Sequence, residues 1–267
     1  MSEIPLLSRR INTNCYVPMK TNSFDTPSIA SEDQWLSARR ELLREEKELT
    51  RLHDRLAARR RELPWVKVDK AYTFDSPSGP VSLAGLFNGR SQLAVYHFMM
   101  GPEWGEGCPS CSFIADHLVP TVPHLQARDV SLAVVSRAPL AEILPFKERM
   151  GWGFNWVSSN GNVFNYDYHV SFTEEEMERK TVFYNFGLTE FPNDEAPGFS
   201  VFARDARGNI YHTYSTYGRG VEQFMGTYTI LDLMPRGRDE EPDKFYKMDW
   251  VRYHDRYDQP ADAVSAH

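Results

Sequence analysis

Cys108 and Cys111 stand with two residues between them in WGEGCPSC, at the junction between the apolar run LAVYHFMM and the helical pattern SFIADHLVPTVPHLQAR. A short, nearly continuous apolar run reads as a strand buried on both faces. The helical segment after it is broken by Pro120 and Pro123, and VSLAVVS follows as a second buried strand. Strand, helix and strand in one crossover are the βαβ unit of a parallel sheet. Cys108 and Cys111 therefore fall at the start of the crossover helix.

That position changes thiol chemistry. Open amides and the helix dipole at an N-terminus stabilise a thiolate and lower its pKa from the free value of about 8.5. Cys108 fits the cap and Pro109 the first helical position, where a missing N–H costs nothing. Cys111 then lies one turn on, within reach of a disulfide. In this reading Cys108 is the nucleophile and Cys111 the resolving thiol. The same spacing also serves zinc and arises by chance, so a redox dithiol, a metal site and a passive pair are all open. The chain has three cysteines, no second pair and no HxxxH spacing. An odd count argues against a secreted disulfide framework, and Cys15 is given no role.

Before this unit, Ser31 and Gln34 have capping-box spacing and Pro64 stops a long amphipathic helix over residues 31–64. Trp35, Leu42, Leu49, Leu56 and Leu63 recur every seven residues, with Leu36, Leu43 and Leu52 widening the stripe. The stripe is expected to rest on the chain's own core, or failing that on a second copy, which would make a homodimer. Residues 1–30 read as a flexible, retained tail, and 65–91 are largely a linker into the apolar run. After the crossover come a helix in PLAEILPFKERMG, a strand with an insertion in NWVSSNGNVFNYDYHVSF, and a hairpin in GFSVFARDARGNIYHTYSTY turning at Gly208 and Asn209. VEQFMGTYTILDLM suggests a further helix. A charged, aromatic extension and tail over 236–267 then wraps the domain.

Net charge −7, with 41% hydrophobic and 25% charged residues, excludes a general attraction to nucleic acid. No apolar run has the length of a membrane span. With no secretory leader evident, a cytoplasmic location is expected.

SLAGLFNGRSQLAVYHFMMGPEWGEGCPSC, LAVVSRAPLAEILPFKERMGW, WVSSNGNVFNYDY, IYHTYSTYGRG and LDLMPRGRDE together resemble the thioredoxin-like proteins grouped as domain-of-unknown-function family 899, from about Trp35 to about Glu241. The resemblance implies an α/β, thioredoxin-like fold: a central mixed sheet with flanking helices, here with a long N-terminal helix and a C-terminal extension. It brings no established reaction. Cys-Pro-Ser-Cys is similar to the Cys-Pro-x-Cys of glutaredoxins, and MGPEWGEG resembles the longer loop of peroxiredoxins. The peroxiredoxin pattern has Thr or Ser three residues before the cysteine, where Gly105 stands here. The resemblance further implies that His97 lies under the dithiol, relaying protons to Cys111. It also makes Pro197 the candidate for a cis-proline opposite the dithiol that presents backbone to substrate, with an ordinary trans turn proline as the alternative. Trp104 either walls the thiolate or packs the loop.

His212 either faces the cysteine loop or is a core histidine bonded to a neighbouring tyrosine, and His117 reads as a solvated face residue. The expected function is thiol–disulfide exchange without a cofactor on a small thiol or protein disulfide, with the domain over 65–235. The competing class binds copper or zinc, as a carrier or copper-dependent oxidase, through Cys108, Cys111, His97 and His212. A third class is a non-catalytic interaction module built on the helix.

Overall fold

A computed structural model describes residues 28–241, 243, 244 and 246–258. Cys15 and nearly all of the expected N-terminal tail lie outside the described residues. The described residues begin with helix α1 (Glu32–Arg61), whose N-cap Ser31 hydroxyl accepts from the Gln34 amide while the Gln34 side chain accepts from the Ser31 amide. Short strands β1 (Val66–Lys67), β2 (Thr73–Phe74) and β3 (Val81–Ser82) lead to α2 (Leu83–Leu86) and β4 (Gln92–His97). Then come α3 (Pro109–Leu118), α4 (Val122–Gln126), β5 (Val130–Ser136), α5 (Leu140–Arg149) and β6 (Asn155–Ser158). An insertion holds α6 (Phe164–Asp167), α7 (Glu174–Glu178), β7 (Val182–Tyr184) and β8 (Gly187–Thr189). It is followed by β9 (Gly198–Arg204), β10 (Ile210–Tyr217) and α8 (Gly226–Leu231).

Among the described residues, six strands form the main sheet in the order β1-β10-β9-β4-β5-β6. β4 and β6 flank β5 in parallel, while β9 runs antiparallel to β4 and to β10. A parallel pair joined by a helix, extended on the β4 side by an antiparallel hairpin, is a thioredoxin-like arrangement. The two β-rich runs pair as expected, and Gly208 turns between them at φ 87°, a conformation that glycine adopts without a Cβ clash.

Alternation along β4 builds two cores. Ala94 and Tyr96 face one side, with Ile114 of α3, Phe146 of α5, Trp156 of β6 and Tyr228 of α8. Leu93 and Val95 face the other, with Phe74, Leu86 of α2, Phe164 of α6 and Phe202 of β9. The stretch expected as a linker is structured after all. β1 pairs with β10, β2 with β3, and Phe74, Leu83 and Phe87 are buried. Two-residue strands carry no readable period, which is why the sequence hid them.

The expectation that the α1 stripe rests on the chain's own core is overturned, because α1 buries no residue. Both faces of the sheet are already covered by the helices and loops just described. Its C-terminal turn touches the domain through the Arg60 guanidinium, 5.4 Å from the centre of the Tyr214 ring.

Candidate active site at the dithiol

The cysteine loop is anchored where β4 ends. Phe98 donates its amide to Val135 at 2.9 Å, and Cys108 donates its amide to the Met99 carbonyl at 3.0 Å. These bonds bring the chain back onto its own strand before α3 begins. Gly107 is required at the return, because a Cβ there would lie 2.2 Å from the Phe98 ring.

Cys108 caps α3 in a non-helical conformation with Pro109 in the first turn. Its carbonyl accepts from the Ser112 amide at 2.9 Å and from the Ser112 hydroxyl at 3.0 Å. Cys108 is half-buried, Cys111 is 1% exposed, and both are free thiols. The Cys111 thiol first, and after it the amides of Cys111 and Ser110 at the helix terminus, favour a negative Cys108 sulfur; together they outweigh burial and hold Cys108 below the ordinary thiol pKa. Burial pushes Cys111 well above that value, and its hydrogen bond to the negative Cys108 raises it further. The two thiols are thus driven apart, one toward the thiolate and one toward the thiol.

The surroundings come from four segments. Tyr96 projects from β4 under α3 and donates its hydroxyl to the Cys111 carbonyl at 3.2 Å. Tyr253 donates to the Gly107 carbonyl at 2.5 Å, and the hydroxyls of Tyr246 and Ser110 are hydrogen-bonded. Burial, followed by the nearby negative Cys108, raises the pKa of the Tyr246 phenol. Glu106, in the loop, is paired with Arg149 of α5 and Arg256 of the C-terminal segment. Burial works against its charge, yet the two arginines hold it below the usual carboxylate range. The C-terminal segment accordingly wraps the first core and the dithiol loop, with Val251 and Tyr253 buried.

His97 is not under the dithiol. The alternation that aims Tyr96 at α3 sends the next residue to the opposite face, where His97 packs on Phe164 and Tyr168. There its Nε2 bonds Ser200 at 2.8 Å, Ser200 bonds Ser215 at 2.8 Å, and Ser215 bonds Nε2 of His212 at 2.7 Å. Burial lowers the His97 pKa to about 3, so the ring is neutral. His212 is half-buried in this chain of hydroxyls, edge-on to Tyr168, rather than facing the cysteine loop. The ligand set Cys108, Cys111, His97 and His212 is thus split across the sheet, and among the described residues no three His, Cys, Asp or Glu side chains converge as metal ligands would.

Pro197 stands beside the end of β4, since Gly198 pairs with His97, but the Ala196–Pro197 bond is trans, not cis. The segment is held extended: the Ala196 amide donates to Val170 and the Pro197 carbonyl accepts from the Tyr184 hydroxyl at 2.7 Å. Trp104 is half-buried against the first core with its indole over Gly101, where an added Cβ would come within 2.7 Å of Nε1. His117 is not a solvated residue. It bonds the Phe113 carbonyl through Nδ1 and accepts the Thr227 amide at Nε2, docking α8 onto α3.

Sequence reasoning missed Tyr96, Glu106, Tyr246 and Tyr253. Counting by two along the β4 strand finds Tyr96; for Tyr246 and Tyr253 the only signal was the aromatic composition of the C-terminal segment.

The sheet and its flanking helices make the fold thioredoxin-like, with Cys-Pro-Ser-Cys at the N-terminus of its first crossover helix. More narrowly, the chain belongs to the family described as bacterial protein of unknown function (DUF899), whose profile matches residues 24–257. No curated protein matches it. Similar solved structures include the peroxidoxin BcpB of Mycobacterium tuberculosis, at 12% identity over 62% of this chain and 94% of that one, with a TM-score of 0.38. A putative thiol:disulfide interchange protein DsbE from Chlorobium tepidum is similar at 12% identity over 62% and 97% of the two chains, TM-score 0.38. Peroxiredoxin Q of Xanthomonas campestris is similar at 10% identity over 58% and 87%, again with a TM-score of 0.38.

Proposed function

We propose that the protein is a thiol–disulfide oxidoreductase in which Cys108 attacks and Cys111 resolves. The observation that carries this reading is the place of Cys108 at the N-terminal cap of α3, half-buried, with the buried Cys111 thiol one turn further on. Cys108 thiolate attacks one sulfur of a substrate disulfide, forming a mixed disulfide and releasing the other sulfur as a thiolate. Cys111 then loses its proton and attacks the Cys108 sulfur. The Cys108–Cys111 bond forms, the second substrate thiolate leaves, and the substrate has gained the two electrons that the dithiol has lost. The released thiolate is the natural acceptor for the Cys111 proton. Run backward, the same steps oxidise a dithiol.

Small thiols and protein disulfides are the substrate classes of this reading, and Trp104, in the loop before Cys108, Pro109, next to it, and Pro197, beside the end of β4, are its candidate substrate contacts. No helix among the described residues is long and apolar enough to cross a membrane. A cytoplasmic setting, where thiols are kept reduced, suits a dithiol of this kind. The test is intact-mass analysis after exposure to a disulfide. Cys111→Ser should accumulate a mixed disulfide mapped to Cys108, and Cys108→Ser should form none at Cys111. An adduct at Cys111 as fast as at Cys108 would reverse the assignment.

A further inference from the structure

Helix α1 has 30 residues and none is buried. Its length is about 45 Å, and along it Trp35 is 60%, Leu42 51% and Leu49 56% exposed. A continuous apolar face of this kind marks an interaction surface. Trp35, Leu42, Leu49 and Leu56 repeat along α1 every seven residues, the period that keeps one face of a helix turned toward a partner helix, and Leu63 continues the row just past the helix end. Leu49 is the middle member of the row. A two-fold axis through it sets Leu42 of one copy along Leu56 of the other, and Trp35 beside the C-terminal end of the other helix, where Leu63 follows.

Charge selects the direction. Residues 32–48 carry six Asp or Glu against four Lys or Arg, while residues 49–63 carry five Arg against two acids. A parallel pair would set the acidic halves side by side and the basic halves side by side. An antiparallel pair sets acidic against basic at both ends, and opposes the two helix dipoles as well. The gradient suits the dipole of a lone helix too, but a lone helix gives no reason for the unbroken row of Leu.

We propose that α1 is a self-association arm that docks on α1 of a second copy, antiparallel and centred on Leu49. The contact is isologous, so it closes at a dimer rather than growing a filament. Each domain is carried at the C-terminal end of its arm, and the dithiols lie on the domains, outside the seam.

The test uses the full chain and two readouts. Sedimentation equilibrium at micromolar concentration should give a dimer for the wild type and a monomer for Leu49→Glu, with the domain's melting temperature unchanged. A spin label at Ser37→Cys, with Cys15, Cys108 and Cys111 replaced by Ser, should report a label pair separated by about 36 Å along the antiparallel axis; a parallel pair would give a separation close to the interaxial distance of about 10 Å. A monomeric wild type, a Leu49→Glu protein that remains dimeric, or the short label distance would each overturn the proposal.

Discussion

Tyr253 donates its hydroxyl to the carbonyl of Gly107 at 2.5 Å across 146 positions of sequence, so the C-terminal segment holds the residue that precedes the attacking thiol. The ring beneath that hydroxyl is buried and packs edge-on against Phe146.

Tyr253→Phe keeps the ring and removes the bond. The Gly107 carbonyl then stays buried without this donor, at a cost of about 1–2 kcal/mol. For a domain of this size that is a fall of roughly 2–8 °C in Tm. Amide exchange of the loop from Gly105 to Cys108 should quicken in the same variant. An unchanged Tm and unchanged exchange would mean that the loop is held without the C-terminal segment.

His97→Ala should leave the reactivity of both thiols alone, because the ring lies on the face of the sheet away from α3. It should instead destabilise the fold by about 1–3 kcal/mol through the stranded hydroxyls of Ser200 and Ser215. Chemical unfolding and thiol labelling of one preparation separate the two effects. A slower resolving step with unchanged stability would put the imidazole back in the proton path.

The case of His97 shows what sequence could and could not give. The β4-α3-β5 unit, the capping role of Cys108 and Pro109, and the β9-β10 hairpin were legible because each rests on a local pattern: an apolar run, a helix start, a glycine turn. His97 was placed by resemblance to a fold, where a shift of one residue along a strand reverses the face. Strand alternation from buried Tyr96 would have argued against it. Tyr246, Tyr253 and Arg256 reach the dithiol from a segment of turns, whose placement depends on long-range packing and leaves no period. The α1 stripe was read correctly as apolar, but nothing local says whether a domain has a face to spare for it.

Glu195 supplies a pH dependence. It is buried with its carboxylate on the Arg137 guanidinium and the Ser171 hydroxyl, and burial raises its pKa to about 7 despite the arginine. The unfolded chain would titrate it near 4.3, so between the two values the folded state binds the proton more tightly. Its contribution is complete below the unfolded value and is lost as pH rises through about 7. The loss is on the order of 3 kcal/mol. Unfolding free energies from pH 5 to 8 should therefore fall more steeply in the wild type than in Glu195→Gln. Parallel curves would show that Arg137 keeps the carboxylate ionised throughout.

The separation of the two thiols gives the most direct test of the site. The largest influence lowering the Cys108 pKa is the hydrogen bond from the Cys111 thiol, and the amides of Cys111 and Ser110 come after it. Cys111→Ala removes the side-chain donor and keeps the amides, so the Cys108 pKa should rise while remaining below the ordinary thiol value. Cys111→Ser replaces one donor with another and should restore much of the depression. Alkylation rates of Cys108 measured from pH 5 to 9 in both variants read this directly: the midpoint in the Ala protein lies above that in the Ser protein, and at neutral pH the Ala protein reacts more slowly because less of its thiol is ionised. Coincident profiles would mean that the helix terminus alone sets the reactivity of Cys108. A midpoint in the Ala protein at or above 8.5 would mean that the terminus contributes nothing and the neighbouring thiol does it all.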